Sequence, residues 1–203
     1  MIIIPNVFNE SGRGNDVFSH NLESRNILLI GEINDELSAS VVSQLLYLDA
    51  SEDAPIHLYI NSPGGSITAG YAIYDTMKSL KNEVHTICMG QAASMAAVIL
   101  SGGEMRYALE HSEVMIHQPS GGIDGQSSDI AIVAAHIEKV RNELNLILAK
   151  NCCKSAEEIR LITERDFWMS AKEACDFGIV DEIIEERKKK GRGYSSGDGS
   201  ESG

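Results

Sequence analysis

The sequence Ile56-His-Leu-Tyr-Ile-Asn-Ser-Pro-Gly-Gly65 decides the fold class of this chain. Its first five residues have the apolar, β-branched and aromatic character of a buried strand, and the Asn-Ser-Pro-Gly-Gly run after them is typical of a turn. Ser66 can cap the helix that comes next. The apolar residues of that helix recur at helical spacing, at Ala69, Ile73, Met77 and Leu80.

The same succession of strand and helix recurs on both sides of this stretch. Upstream, residues 26–30 (Asn-Ile-Leu-Leu-Ile) predict a short buried strand, and Asn34 or Asp35 can begin a helix with apolar residues at helical spacing. Downstream, residues 84–88 predict another strand, and a further helix begins near Ser94. This alternation, with its short connections, predicts an α/β domain in which parallel strands lie under helices.

The second half of the chain predicts short strands and one long helix. Residues 105–108 and 113–117 are strand-like, and the glycines of residues 118–126 predict an extended segment. A helix over residues 128–150 would be roughly 33 Å long, and its apolar stripe predicts packing against another subunit. The remaining predicted elements are helices over 156–163 and 171–177 and a strand over 178–180.

The two ends of the chain predict little folded structure. Residues 1–25 are interpreted as an N-terminal arm and axial loop, and residues 26–187 as one folded domain. Residues 188–203 are interpreted as a disordered tail, because this segment is basic and then rich in Gly and Ser. A chain of 203 residues is long enough for one domain with a substantial core.

Composition excludes several classes of function. A net charge of −13 argues against a nucleic-acid groove and against binding to anionic membranes, and no apolar run approaches a membrane span. The start has no basic leader, and the four cysteines form no regular framework, so we expect reduced thiols in a cytoplasmic protein. Zinc-type and Walker-type motifs are absent, so neither a metal nor a nucleotide cofactor is expected.

A single serine stands among small residues in Met89-Gly-Gln-Ala-Ala-Ser-Met-Ala-Ala97. Ser94 follows a predicted strand and precedes an apolar helical run. Little side-chain bulk and free N–H groups at a helix N-terminus are what a nucleophile and its oxyanion need. An ordinary helix N-cap is the competing interpretation. This stretch alone leaves both open.

A nucleophilic serine would need a base and an orienting carboxylate. His117 is favoured among the six histidines, because it ends an apolar strand immediately before a Gln-Pro-Ser-Gly-Gly loop. The pattern cannot choose a carboxylate among Asp124, Asp129, Asp166, Asp176 and Asp181. The motif GxSxG is absent around Ser94, which argues against an α/β-hydrolase nucleophile elbow.

The turn at residues 61–65 supplies a candidate partner for the serine. It can be an ordinary strand–helix connection, in which glycine provides unusual dihedrals. It can also present a bare backbone N–H at the carboxyl ends of the strands. Two such turns side by side would give two convergent N–H donors, the usual composition of an oxyanion hole.

Four motifs together resemble the proteolytic subunit of the Clp protease, the ClpP family. They are Tyr59-Ile-Asn-Ser-Pro-Gly-Gly65, Ile87-Cys-Met-Gly-Gln-Ala-Ala-Ser-Met95, Val114-Met-Ile-His-Gln-Pro119 and Thr163-Glu-Arg-Asp166, in the family's order and approximate spacing. The resemblance runs from about Asp16 to Ile184. It implies the ClpP/crotonase-like fold, built from stacked ββα units, with a protruding helical handle at about residues 118–150.

The resemblance also assigns roles to individual residues. Ser94 would be the nucleophile, His117 the general base and acid, and Asp166 the carboxylate that orients His117. The backbone N–H groups of Gly65 and Met95 would form the oxyanion hole. A substrate strand would lie on Gly121, Gly122 and Ile123, ring–ring contacts would involve Arg165 and Gln126, and a docking pocket would comprise Leu46, Tyr59, Ile87, Met89 and Leu109.

The implied protein is a serine endopeptidase that hydrolyses unfolded polypeptides inside two stacked heptameric rings of this chain, a tetradecamer. An AAA+ Clp unfoldase such as ClpX, ClpA or ClpC would feed the chamber and use the ATP, so that this chain needs no cofactor. Two alternatives stay open: a structural paralogue that contributes little catalysis to a mixed ring, and an acyl-CoA enzyme of the crotonase fold.

Overall fold

A computed structural model describes residues 6–8, 14–122 and 124–185 of the 203-residue chain. Strands and helices alternate through most of it. In chain order the elements are β1 (Asn6–Phe8), β2 (Gly14–Asp16), α1 (Val17–Glu23), β3 (Asn26–Ile30), α2 (Asp35–Ser51), β4 (Ile56–Ser62), α3 (Ile67–Ser79), β5 (Val84–Ala93), α4 (Met95–Ser101), β6 (Arg106–Leu109), β7 (Glu113–Ile116), α5 (Ser127–Asn151), α6 (Ala156–Ile162), β8 (Phe167–Ser170), α7 (Ala171–Phe177) and β9 (Glu182–Ile184).

The main sheet is parallel in the order β3-β4-β5-β6-β9. Strand β5 continues past β6 and also pairs in parallel with β7, which in turn pairs antiparallel with β8. The β1–β2 hairpin is separate. Parallel strands with helices between them form the α/β architecture that the sequence predicts.

Strand β5 joins the two parts of the sheet. Its first half, at Thr86–Cys88, pairs with β6, and its end, at Gln91–Ala93, pairs with β7. Gly90 lies between the two halves with φ +79°, and a Cβ there would lie 2.8 Å from the side-chain oxygen of Asn61. Glycine is therefore required where the strand bends from one pairing partner to the other.

The helices begin where capping side chains place them. Asn34 accepts from the Leu37 N–H, and Ser66 accepts from the Ala69 N–H, as the sequence predicts. Helices α6 and α7 begin with capping boxes, in which Ser155 pairs with Glu158 and Ser170 with Glu173. Fully buried aliphatic side chains of β3, β4 and β7 and of helices α2, α3 and α4 form the core: Ile27, Leu29, Leu45, Ile56, Leu58, Ile60, Ile73, Ile99, Leu100 and Ile116.

Helix α5 is the long helix predicted from the sequence, at Ser127–Asn151 instead of residues 128–150. Its buried residues all lie in the second half, at Leu144, Asn145, Leu148 and Ala149. The first half leaves apolar side chains exposed, and Ile132 is 68% exposed. The helix therefore extends beyond the core of its own subunit and presents an apolar surface there.

Three expectations about the elements need correction, and one strand was not predicted. Strand β5 runs to Ala93 instead of ending at residue 88, so that Gly90 bends a strand and is not part of a turn. Residues 178–180 are not a strand, because their N–H groups donate to the Ala174 carbonyl and Gly178 ends α7 with φ +92°. The strand begins instead at Glu182. Helix α1, capped by Asp16, lies in a segment interpreted as loop, and β8 had no prediction. The expected tail lies outside the described residues.

None of the helices in the described ranges combines the length and the apolar character that a membrane crossing requires.

The carboxylate of Asp181 fixes the last strand against the sheet. It accepts from the backbone N–H of Arg106 at 2.9 Å and from Nε at 2.8 Å, and it also pairs with the Nη2 group. The other Arg106 nitrogen, Nη1, donates to the Asn151 and Gly178 carbonyls. The hydrogen bonds from Arg106 hold the pKa of Asp181 below its ordinary value, because they favour the ionised carboxylate.

Replacing Asp181 with Asn is expected to lower the free energy of unfolding at neutral pH by about 1 kcal/mol. This is the usual contribution of a hydrogen bond to a charged group, reduced because the Asp181 carboxylate is partly exposed to solvent. Since the pKa is depressed in the folded state, this stabilisation is present above the unfolded pKa of about 3.8 and is lost as pH falls through the folded pKa. Urea unfolding at several pH values measures it. Asp176→Asn, which removes an exposed pair with Lys172, is the control. An equal loss from both variants would contradict this role.

Candidate active site

Ser94 lies at the sharp turn between β5 and α4. Its backbone has φ +56° and ψ −122°, a conformation that a residue with a side chain seldom adopts and that costs about 1–3 kcal/mol. The Ser94 N–H donates to the Met115 carbonyl at 2.8 Å, which continues the pairing of β5 with β7 by one residue. The turn thus projects the hydroxyl away from the sheet at the end of the strand. A strained strand-to-helix turn of this kind exists here without a GxSxG sequence.

The side chain of Ser94 does not cap helix α4. It makes no hydrogen bond to the N–H groups of the first helical turn, although Ser94 occupies the N-cap position. Its Oγ instead lies 2.8 Å from Nε2 of His117. The ordinary N-cap interpretation is therefore wrong for this side chain.

Sheet register brings His117 and Asp166 together. Strands β7 and β8 are antiparallel with Ile116 opposite Phe167, so that one further step places His117 opposite Asp166. Nδ1 of His117 lies 3.0 Å from Oδ1 of Asp166. An ionised carboxylate only accepts hydrogen bonds, so we assign the ring proton to Nδ1, which leaves Nε2 to accept from the Ser94 hydroxyl. The three side chains form one continuous chain of hydrogen bonds.

The segment before Asp166 is fastened to the strand end that carries His117. The Gln118 N–H donates to the Thr163 carbonyl at 2.7 Å, and its side-chain amide donates to the Glu164 carbonyl at 3.0 Å. Arg141 of α5 pairs with the Glu164 carboxylate at 3.0 Å. An ion pair two residues before Asp166 therefore joins helix α5 to the loop that carries Asp166.

Geometry makes the choice among the five aspartates that sequence left open. Asp181 binds Arg106, Asp176 pairs with Lys172 at 2.9 Å, and Asp129 lies in the first turn of α5. Of the acidic side chains in the described part of the chain, Asp166 is the one paired with His117. Its side chain is 62% exposed, whereas that of His117 is 24% exposed.

Two of the remaining histidines pack on the sheet, as expected for strand residues. The rings of His57 and His85 lie 5.5 Å apart on neighbouring strands. Burial, together with the nearby His85 and Arg25, lowers the pKa of His57. These side chains belong to the middle of β4 and β5 and not to the strand end that carries Ser94.

The Gly64–Gly65 turn lies directly against the turn at Ser94. A Cβ on Gly64 would lie 2.6 Å from the Ala93 carbonyl oxygen and 2.8 Å from the Ser94 Cβ, so only glycine allows this approach. On the side away from Ser94, a parallel β-bridge joins the Gly64–Gly65 turn to Ile33. The Ile33 N–H donates to the Gly64 carbonyl, and the Ser66 N–H donates to the Ile33 carbonyl.

This bridge leaves the Gly65 N–H unused. In the described ranges it has no acceptor, and the Met95 N–H, as the first of helix α4, has no intrahelical acceptor either. The two turns that carry these free N–H groups are in contact, since a Cβ on Gly64 would lie 2.8 Å from the Ser94 Cβ and 3.1 Å from the Met95 nitrogen.

A narrow cavity of about 20 Å³ opens beside Ser94. Its walls are mainly apolar and come from α3, α4, α5 and the end of β7, with Ile67, Met95, Val98, Ile116, Leu144 and Leu148 among them. Asn145 also lines it and is 5% exposed; its Oδ1 accepts from Thr163, while its amide nitrogen has no partner in the described ranges. We call this the Ser94 cavity.

The other predicted site residues are located as follows. Gly121 and Gly122 are exposed on the segment that leaves His117, whereas Ile123 lies outside the described residues. Gln126 precedes α5 without a side-chain cap, and Arg165 is exposed beside Asp166. Of the predicted docking residues, Tyr59, Ile87 and Met89 lie on β4 and β5 and Leu109 at the end of β6, while Leu46 is 53% exposed on α2. Ile87 is buried.

Sequence reasoning missed three contributors to the site. Gly64 was noticed as part of the turn, but its contact with Ser94 depends on packing between turns. Ile33 holds Gly65 from a loop far away in sequence, and Asn145 was hidden in the apolar stripe of α5. Of the three, only Asn145 could have been noticed in the sequence, because a polar residue within an apolar helical stripe is unusual.

In the described residues, no group of three or more His, Cys, Asp and Glu side chains is arranged to hold a metal ion. A comparison with protein families gives a match to the Clp protease model over residues 9–187, most of the chain. Members of this family are peptidases that assemble into rings and associate with Clp ATPases. The expected resemblance is confirmed, and the chain belongs to the Clp protease family.

Proposed function

We propose that this chain is a serine endopeptidase subunit that hydrolyses unfolded polypeptides to short peptides, with Ser94 as nucleophile. The observation that carries the proposal is the hydrogen-bonded series Ser94–His117–Asp166, with distances of 2.8 and 3.0 Å. Nucleophile, base and orienting carboxylate in this order are the parts of a serine-protease triad.

In the proposed mechanism the Ser94 hydroxyl attacks the scissile carbonyl while Nε2 of His117 takes its proton. The tetrahedral oxyanion is held by the N–H groups of Gly65 and Met95. His117 then gives the proton to the leaving amine, and an acyl-enzyme ester remains on Ser94. Water, deprotonated by His117, releases the peptide acid. Asp166 keeps the ring proton on Nδ1 and stabilises the imidazolium that forms at each transfer.

The surroundings of the triad support an extended peptide substrate. Gly121 and Gly122 carry no side chains and are exposed, so that a peptide could add to this segment as a strand. Ile123, the third residue predicted to bind it, lies outside the described residues. The walls of the Ser94 cavity are mainly apolar, so we expect it to take an apolar side chain before the cleaved bond. The cavity must widen to do so, because about 20 Å³ holds little more than one water molecule. The chemistry requires no cofactor or metal from this chain.

We further propose that two stacked heptameric rings of this chain enclose the sites. The exposed apolar half of α5 supports its role as the handle between rings, with Gln126 at its base and Arg165 nearby. An AAA+ Clp unfoldase such as ClpX, ClpA or ClpC would dock on Leu46, Tyr59, Ile87, Met89 and Leu109 and use the ATP. The four unpaired cysteines support a cytoplasmic location.

Peptidase activity of the purified particle, measured together with its native mass, tests the proposal. Turnover of a fluorogenic peptide by a particle of two rings, lost in Ser94→Ala, is the expected result. Assembly without turnover would favour the structural paralogue. Turnover of an acyl-CoA by Ser94→Ala would favour the crotonase-type enzyme, which leaves the triad unexplained.

Replacing Arg165 with Ala is expected to weaken the contact between rings and to lower peptidase activity, because Arg165 is exposed immediately before Asp166. Native mass and activity, measured over a range of protein concentrations, would show a shift to single rings together with the loss of turnover. Arg160→Ala is the matched control, since Arg160 pairs with Glu157 on α6. A fully assembled and fully active Arg165→Ala particle would refute this role.

A further inference from the structure

A second pocket, of about 320 Å³, lies between α3 and α5. Its walls include Ile137 and Val140 of α5 and Tyr71 of α3, and Pro119 and Ser120 close one end. We call it the α3–α5 pocket. No part of the proposed mechanism uses it.

The α3–α5 pocket continues the Ser94 cavity. Both are lined by Ile67 and Pro119, but only the Ser94 cavity is lined by Ser94 and His117. The Ser94 cavity therefore lies between the nucleophile and the α3–α5 pocket. If the nearer cavity takes the side chain that precedes the cleaved bond (P1), then the farther pocket lies on the same, acyl side of that bond.

The spacing of the two spaces suits an extended peptide. Helix α5 lines the Ser94 cavity through Leu144 and Leu148 and the α3–α5 pocket through Val140 and Ile137. These residues are four to eleven positions apart, which corresponds to about 6–16 Å along the helix axis. In an extended peptide, side chains two residues apart point to the same face and are about 6.8 Å apart. Since about 6.8 Å falls within this range, the first side chain before P1 that can reach the second pocket on the same face is P3, two residues before P1.

The floor of the α3–α5 pocket carries an unused hydrogen-bonding group. The hydroxyl of Tyr71 is buried and has no partner among the described residues. Burial, with the carboxylates of Glu143 and Asp75, raises the pKa of Tyr71 to about 12, so this hydroxyl stays neutral and can donate or accept. A buried polar group without a partner is costly, and a ligand that pairs with it recovers that cost.

We propose that the α3–α5 pocket is the subsite for the P3 side chain and that it favours glutamine there. The apolar walls fit a long stem, and an amide end can donate to the Tyr71 oxygen. A P3 glutamate, of the same shape, would bring a carboxylate towards Glu143 and Asp75, whose charges already act on Tyr71. Glu143 and Asp75 are exposed, as are His136 and Lys139, so solvent screens all four charges, and the main cost of a P3 glutamate is burying its carboxylate between apolar walls. This inference rests on the proposed peptidase function.

The test compares fluorogenic peptides that differ only at P3, with Gln, its near-isostere Met, Glu or Ala, on the assembled particle. We expect kcat/KM for P3 Gln to exceed that for Met by about fivefold, the effect of one hydrogen bond, and Glu to be the poorest of the long side chains. In Tyr71→Phe, which removes only the hydroxyl, the Gln-to-Met ratio should fall to about one. The same exchanges at P2, which faces away, should give equal ratios in both proteins.

A second variant, Val140→Phe, keeps the proposal testable if Tyr71→Phe does not fold. Val140→Phe fills the pocket from the half-buried middle of α5 and should reduce kcat/KM for P3 Gln and Met relative to P3 Ala. P3 ratios near one in the unaltered protein, or ratios that neither variant changes, would overturn the subsite alone. Absence of hydrolysis for every peptide, whatever its P3 residue, would overturn the peptidase proposal and the subsite with it.

Discussion

Asp166→Asn is expected to lower kcat/KM by about 10³–10⁴ while the particle stays assembled. An asparagine amide can donate to Nδ1 of His117, which would move the ring proton to Nε2 and leave no acceptor for the Ser94 hydroxyl. The carboxylate is largely exposed, so the fold does not depend on its charge. Steady-state hydrolysis of a fluorogenic peptide, with native mass as the check on assembly, measures the effect.

Asp176→Asn is the matched control for this variant. Asp176 is an exposed aspartate of α7 that pairs with Lys172, and its substitution should leave kcat/KM within about twofold of the unaltered protein, as surface changes usually do. If Asp166→Asn retained similar activity, His117 would not need a carboxylate to fix its tautomer, and the assignment of Asp166 would be wrong.

Gly64→Ala is expected to lower kcat/KM by at least about 10² and also to destabilise the fold. The new methyl group would lie 2.6 Å from the Ala93 carbonyl oxygen and 2.8 Å from the Ser94 Cβ, so the two turns must separate. A displacement of about 1 Å at a catalytic site can cost a hundredfold in rate. Peptide hydrolysis and urea unfolding of the same preparation give both effects.

Gly31→Ala separates the clash from backbone strain. Gly31 has φ +92° and Gly64 has φ +91°, but a Cβ on Gly31 has nothing within 4 Å. Both variants should lose about 1–2 kcal/mol of stability from the left-handed backbone, whereas only Gly64→Ala should lose activity beyond that. Equal loss of activity in the two would mean that contact between the turns does not position Ser94.

The α/β alternation could be predicted because it depends on local signals. Buried strands such as residues 26–30, the caps at Asn34 and Ser66, and helical periodicity are all local in sequence. Strand β8 could not be predicted, because its four residues form a strand only through pairing with β7. The misplaced last strand has a similar cause: the end of α7 holds residues 178–180, and the pairing of β9 with β6 decides where the strand begins.

Sequence predicted which residue types form the candidate site, but it did not predict which aspartate takes part or which backbone conformation Ser94 adopts. Ser94 and His117 stood out from local sequence, but Asp166 was one of five aspartates until the resemblance was considered. The β7–β8 register places Asp166 opposite His117, and that register is long-range. The conformation of Ser94 was hidden for another reason: its positive φ is imposed by the sheet on one side and α4 on the other, and no glycine marks it.

The most direct measurement is labelling of the assembled protein by a fluorophosphonate, followed by mass spectrometry of the modified peptide. The reagent adds to an activated serine, so the account predicts one label per subunit, on Ser94, that is absent in Ser94→Ala and at least about 10²-fold slower in His117→Ala. Absence of labelling in an assembled particle, beside a competent serine protease as control, would contradict it. So would a label that persists in Ser94→Ala.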